Sequence, residues 1–258
     1  VYRDVVTGYP YSFDNAIAGK TGINIWNNFD DLKLKSSSVL PHVRTDVNEY
    51  LKNSRDKPYI NNLQGNYFFN PIGDVYGKFT AGLLEQMFGG YGFELLYRPF
   101  DGPWGVGIEA WRVKQRGFKG DFKFLDYETT TGHLNFYLRE PRSGLFLAVS
   151  GGRYLAEDSG FTIDVSKQFK SGLNMGAFFS LTDISKEEFG EGSFDKGFYF
   201  NMPVQIFFKK YQTDQTSFSF RPITRDGAAR LGHDFTLWSV TASAERWKLT
   251  KDMDTIYD

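Results

Sequence analysis

Gly197–Lys210 reads G-F-Y-F-N-M-P-V-Q-I-F-F-K-K. Every second residue, Phe198, Phe200, Met202, Val204, Ile206 and Phe208, is apolar and mostly large. The residues between them, Tyr199, Asn201, Pro203, Gln205, Phe207 and Lys209, are mixed and largely polar. Successive side chains of a strand point to opposite faces, so this stretch is a strand with one wholly apolar face. That face meets either a protein core or lipid. Pro203 falls in the other register, where its missing N–H removes a ladder hydrogen bond and predicts a bulge or kink.

The same period recurs from about residue 75 to the end. Phe79, Ala81 and Leu83 oppose Lys78 and Thr80; Phe93, Leu95 and Tyr97 oppose Glu94, Leu96 and Arg98. Trp104, Val106, Ile108 and Ala110 oppose Gly105, Gly107 and Glu109, and Leu134, Phe136 and Leu138 oppose His133, Asn135, Tyr137 and Arg139. Phe161–Lys170, Met175–Thr182, Thr216–Arg225 and Phe235–Lys248 continue the series, whereas Gly144–Leu155 is apolar on both sides and has no readable orientation. Turn signals separate the runs at Pro99–Gly102, Pro141–Gly144, Glu157–Gly160, Lys170–Gly172 and Arg225–Gly227, which makes neighbours in the chain antiparallel neighbours in the sheet. The first third differs. A strand is expected around Gly22–Trp26, and Val43–Asn53 spaces Val43, Val47, Tyr50 and Leu51 as a short helix. A second helical turn is expected at Leu83–Gly89, ended by Gly89-Gly90.

Charge is balanced, with 30 basic and 31 acidic residues, so no nucleic-acid partner is implied. Cysteine is absent, which excludes a disulfide framework and thiolate metal sites. No run of eighteen apolar residues predicts a transmembrane helix. A mean hydropathy of −0.41 is compatible with a membrane barrel, whose inner positions are polar. The opening V-Y-R-D-V-V, without Met or an apolar leader, is expected of a processed product or a fragment of a longer chain.

Alternation alone also describes a soluble β-sandwich. Against that stand runs longer than ordinary strands, large apolar positions with few interruptions, and aromatics near strand ends (Trp104, Tyr154, Phe189, Phe194, Trp238, Trp247), as in interfacial girdles. Pattern by itself leaves both architectures open.

Longer blocks narrow the choice. A-G-L-L-E-Q-M-F-G-G-Y-G-F-E-L-L-Y-R-P-F (81–100), F-L-D-Y-E-T-T-T-G-H (124–133), G-R-Y-L-A-E-D-S-G (152–160), L-T-D-I-S-K-E-E-F-G-E-G-S-F-D-K-G (181–197) and R-P-I-T-R-D-G-A-A-R-L (221–231) come in order over about residues 70–250. Together they resemble the YjbH-like and GfcD-like family of bacterial outer-membrane lipoproteins of exopolysaccharide and group 4 capsule systems. The resemblance implies an all-β, antiparallel, up-and-down transmembrane barrel, about twelve strands by the pattern, located in the bacterial outer membrane. It places this chain, residues 1–258, as one C-terminal barrel domain of a longer protein. Residues 1–60 would hold the irregular part and helix 43–53, as a plug or periplasmic element, and residues 61–250 the strands. Outer-membrane lipid, polysaccharide, other secretion proteins and the N-terminal remainder of the chain are the implied partners.

On that reading Glu94, Arg98, Glu109, His133, Arg139, Asp164, Arg221 and Arg225 point into a charged, wet lumen, with Tyr137, Phe178 and Tyr199 as inward rings for saccharide. Pairing of these charges across the lumen is the plainer expectation for Arg221 and Arg225. The loop residues Glu188, Glu191, Asp195 and Lys196 form an oxygen-rich cluster that suits hard cations or sugar, but without calcium-loop spacing it reads first as a solvated loop. The three histidines are dispersed and no hydrolase motif occurs, so no catalytic residue, metal or cofactor is expected and the chain is read as a non-enzymatic export component, with a closed scaffold for periplasmic assembly partners and a membrane-embedded hydrolase or acyltransferase as the alternatives.

Overall fold

The computed structural model describes residues 2–11, 15–24, 39–55, 57–169, 171–185, 194–203, 215–221 and 226–242. Its strands are β1 (Tyr2–Tyr11), β2 (Asn15–Asn24), β3 (Tyr59–Ile72), β4 (Val75–Leu83), β5 (Phe88–Tyr97), β6 (Trp104–Arg116), β7 (Phe124–Glu140), β8 (Leu145–Arg153), β9 (Ser159–Gln168), β10 (Asn174–Thr182), β11 (Asp195–Pro203) and β12 (Gln215–Phe220). They form one twelve-stranded sheet in chain order, each strand antiparallel to the next. Among the described residues two short helices accompany it, α1 (Val47–Asn53) and α2 (Leu237–Thr241). No helix among the described residues is long and apolar enough to cross a membrane.

Short turns set this meander. At the β7–β8 hairpin Gly144 has φ +72°, and a Cβ there would lie 2.3 Å from the Gln168 carbonyl oxygen, so only glycine fits. The outward register carries Leu63, Phe79, Ile108, Leu134, Val165 and Phe198, all exposed. On β6 and β7 this face is apolar from Trp104 to Ala110 and from Leu134 to Leu138. It turns charged toward the 117–123 turn, where Arg112 pairs with Glu128 at 2.5 Å. Seven residues at about 3.3 Å each give roughly 23 Å along the strand, close to the apolar band of a membrane barrel.

The faces expected for 79–83, 93–98, 104–110, 134–139, 161–166, 175–182 and 198–203 are those observed. Gly144–Leu155 gains an orientation from its neighbours: Leu147 pairs with outward Leu138, and Ser150 with inward Asn135.

Several expectations change. The strands begin at Tyr2, well before residue 75, and β2 shares Gly22–Asn24 with the strand expected around Gly22–Trp26 but starts earlier, at Asn15; residues 25 and 26 lie outside the described residues. Leu83–Gly89 is a tight connection rather than a helical turn: Leu84 and Glu85 both donate to the Phe88 carbonyl, which returns the chain into β5. Pairing runs in register from Phe198↔Phe220 to Pro203↔Gln215, and Pro203 is the last described residue of β11, so the bulge or kink expected there falls at the edge of the described residues. The part of Gly197–Lys210 beyond Pro203 lies outside the described residues, as do Phe189 and Trp247. Phe235–Lys248 is not a strand as far as Ala242: the backbone turns left-handed at Phe235 (φ +58°) and enters α2. Trp238 and Tyr154 are buried on the inner side and belong to no outer girdle.

Candidate functional site

Two segments outside the sheet, 39–55 and 226–242, lie against its inner face. Val43 and Tyr50, from α1 and its approach, pack with Leu84, Phe88, Trp111, Val113 and Leu155 of the wall, and Ala229 and Leu231 join the same cluster. Burial pushes the Tyr50 phenol well above its ordinary value. The helix expected at 43–53 thus forms over 47–53, and its apolar stripe packs within the molecule. Asp226 ties the two segments together, accepting from the Arg44 and Thr45 amides at 2.8 and 3.0 Å and from the Thr45 hydroxyl at 2.8 Å. Arg44 adds a two-pronged contact to Glu85 at 2.6 and 3.1 Å.

Arg230 is the centre of the filled region. Its guanidinium donates to Glu109 on β6, to Asn135 on β7 at 2.7 Å and to Ser150 on β8 at 2.8 Å. Burial alone would lower its pKa, and the Glu109 carboxylate more than offsets this, so the group is held charged. Glu109 also lies 3.5 Å from His133 Nδ1 and 3.1 Å from His233 Nε2, and accepts from Trp111 Nε1 at 3.2 Å. Beside it Lys78, fully buried, pairs with Glu94 at 3.0 Å and donates to the Phe235 carbonyl at 2.9 Å. Glu94 accepts from the Leu237 amide at 2.9 Å, and Asp234 takes Lys20 at 2.7 Å. Buried charges persist only when paired and hydrogen-bonded, and here each cited pair joins wall to segment or wall to wall.

Toward the far end, Trp238 stacks on Tyr137 at 4.6 Å between centroids, with Phe146 beyond at 5.8 Å. Arg98 sits 3.7 Å over the Trp238 ring and donates to the Trp238 carbonyl and the Thr241 hydroxyl. Burial, then the charge of Arg139, lowers the Arg98 pKa to about 10. Arg139 lies over Phe146 at 5.1 Å.

A second group lies on β9–β12. Tyr199 donates to Asp164 at 2.8 Å, and Arg221 pairs with Asp195 at 3.2 Å while lying 5.5 Å from the Phe178 ring. Asp164, Phe178, Tyr199 and Arg221 keep partial or full exposure.

The structure therefore brings Glu94, Arg98, Glu109, His133, Tyr137 and Arg139 into one region, and Asp164, Phe178, Asp195, Tyr199 and Arg221 into another. In the first region residues 226–242 cover the charges expected to line a wet lumen. Asp195 is a buried strand residue rather than a loop ligand, and Lys196 is exposed beside Phe194. Arg225, Glu188 and Glu191 lie outside the described residues. Sequence reading missed Arg230, Lys78, His233 and Trp238 as partners. The available signal was G-A-A-R-L-G-H-D (227–234), where small residues replace the large apolar alternation of a strand.

The fold and inner wall define a class: a β-meander with an apolar exterior and an interior occupied by its own chain. A family model described as "Exopolysaccharide biosynthesis protein YbjH" matches residues 5–243, and the chain belongs to that family. It is 40% identical over 231 residues to the uncharacterized lipoprotein YjbH of Escherichia coli (strain K12), covering 87% of this chain and 33% of that protein. The chain thus spans about a third of that relative's length. Among solved structures, OmpT, an outer membrane protein of Vibrio cholerae, aligns over 90% of this chain and 84% of its own, with 9% identity and a TM-score of 0.31, too distant to bear on the fold.

Proposed function

We propose that this chain is a non-enzymatic β-barrel component of exopolysaccharide and capsule production and export in the bacterial outer membrane, with β1 and β12 closing on each other and the inner wall contacting glycan. The observation that carries it is the outward face: large exposed apolar residues on every strand from β3 to β12, with charged residues such as Arg112, Glu128, Lys167 and Lys196 toward strand ends, opposite a polar inner face. In water that surface far exceeds what a monomer leaves uncovered, whereas in hydrocarbon it is the favoured exterior. Closure also removes the two unpaired sheet edges, which lipid does not tolerate. Membership of an exopolysaccharide family supplies the glycan. Lipid, polysaccharide, further secretion proteins and the remainder of a longer chain are its proposed partners.

Support for the non-enzymatic reading comes from Ser150, which pairs with Asn135 rather than with His133 in the sheet and accepts a hydrogen bond from Arg230, a contact that lowers hydroxyl nucleophilicity. A second reading, a closed scaffold for assembly partners, is favoured by residues 226–242 lying across β4–β8. Single-channel recording of the purified chain in planar bilayers separates the two. Steady conductance blocked by added capsule polysaccharide is the outcome the export reading predicts. Folded protein that stays silent would overturn it in favour of the scaffold.

A further inference from the structure

The inner wall outside the filled region carries one arrangement that packing does not require. Tyr199 stands in the inward register of β11, opposite Gly176 of β10. A Cβ at Gly176 would lie 2.4 Å from the Tyr199 ring, so the ring lies down across β10 instead of standing off the wall. Its hydroxyl reaches on to Asp164 of β9 at 2.8 Å, pinning the ring at its tip. The device repeats one step along: Phe178 of β10 lies over Gly197 of β11, where a Cβ would come within 2.6 Å of the ring, and Arg221 sits beside it. Glycine under each ring is the condition for this posture, because any side chain there would lift the ring from the wall.

A ring laid flat, fixed at its tip and half-exposed on its other side is a preorganised apolar plate with hydrogen-bonding groups at its margin. That chemistry matches a pyranose, which offers a C–H face to a ring and hydroxyls to carboxylate, amide and guanidinium groups. The charge selects the class. Among the described inward residues of β9–β12 and Arg221 just past β12, the groups charged at neutral pH are Asp164, Asp195 and Arg221, two carboxylates and one guanidinium, net −1. Arg221 is engaged with Asp195, while among the described residues Asp164 receives the neutral Tyr199 hydroxyl. A uronate carboxylate over Tyr199 would face Asp164 with no cation committed to it.

We propose that the β9–β11 wall around Tyr199 is a stacking site for uncharged sugar residues of an exopolysaccharide. This rests on the reading of the chain as a glycan-contacting barrel. The test is calorimetric titration of the detergent-solubilised full chain with maltohexaose and cellohexaose as neutral probes and a hexameric oligogalacturonate as the acidic one. Folding of every variant is checked by heat-dependent gel mobility. The neutral probes are expected to bind, with Tyr199→Ala and Gly176→Val each weakening them about tenfold. Tyr199→Phe, which keeps the ring, should retain most of the affinity, and the outward Phe198→Ala all of it. Neutral binding untouched by Tyr199→Ala and Gly176→Val would overturn this site and leave the glycan reading standing. Preference for oligogalacturonate would overturn the uncharged class. Folded protein that binds none of the probes would overturn the glycan reading itself.

Discussion

The two halves of the inner wall use the same strand pattern and end differently. On β4–β8 the inward residues Lys78, Glu94, Glu109, His133 and Asn135 are all under 5% exposed, because residues 226–242 supply a partner for most of them. On β9–β11 the inward Asp164, Phe178 and Tyr199 stay partly open, with Tyr199 held by Asp164 and Phe178 flanked by Arg221 among the described residues. Alternation thus sets which way a residue points, not whether water reaches it. One half behaves as a polar core; the other is open around Asp164, Phe178 and Tyr199 although Ser166, Ser180 and Asp195 beside them are buried.

The widest separation between the halves should appear on removing a carboxylate. Glu109→Ala leaves Arg230 and the two histidines without their common partner in a buried setting, and about 3–5 kcal/mol of unfolding free energy should be lost in urea titration of the reconstituted protein. Asp164→Ala, on the open half, should cost about 0.5–1.5 kcal/mol by the same measurement. Equal costs would erase the distinction.

The outer face should be indifferent to which half lies behind it. Ile108→Arg, at the middle of the apolar band, is expected to cost about 2–4 kcal/mol in lipid. A change within ~0.5 kcal/mol, as for an ordinary water-facing position, would contradict a lipid-facing β6.

The smallest effect is a pH dependence. Asp158, in the β8–β9 connection, accepts from the Ala228 amide at 2.7 Å, and burial raises its carboxyl pKa from the ordinary 3.8. The folded state therefore disfavours ionisation. Stability associated with this group is greatest at low pH and declines as pH rises from about 3.8 through the raised value. Asp158→Asn keeps an acceptor for Ala228 and cannot ionise. Its stability relative to the parent should grow across that window and level off above it, as read by urea titration from pH 4 to pH 8. A difference independent of pH would sink the assignment.

Much of the wall was legible in the sequence because a period of two is local: Phe93 and Glu94, Ile108 and Glu109, Phe198 and Tyr199 each declare their faces without reference to anything distant. The filling of the wall was not legible. Arg230 meets Glu109 across 121 residues and Asn135 across 95, and nothing in a local pattern encodes such a pairing. Phe235–Lys248 carries apolar residues at strand-like spacing, but the left-handed turn at Phe235 and the contacts of Leu237 with Glu94 and of Trp238 with Tyr137 and Arg98 set its described part, Phe235–Ala242, against the inner wall. Tertiary contacts won over local period there. Tyr154 misled in the same way, an aromatic at a strand end that is fully buried against His133 rather than set in an outer belt.

The central claim is that the apolar faces meet lipid, and the absence of cysteine makes it directly testable. Single cysteines at Phe198, Tyr199, Phe200, Asn201 and Met202, spin-labelled in lipid vesicles, report access to dissolved oxygen against access to a water-soluble nickel complex. A period of two is predicted, with 198, 200 and 202 favouring oxygen and 199 and 201 favouring nickel. Nickel access at all five positions, without alternation, would show a water-facing sheet and contradict the account.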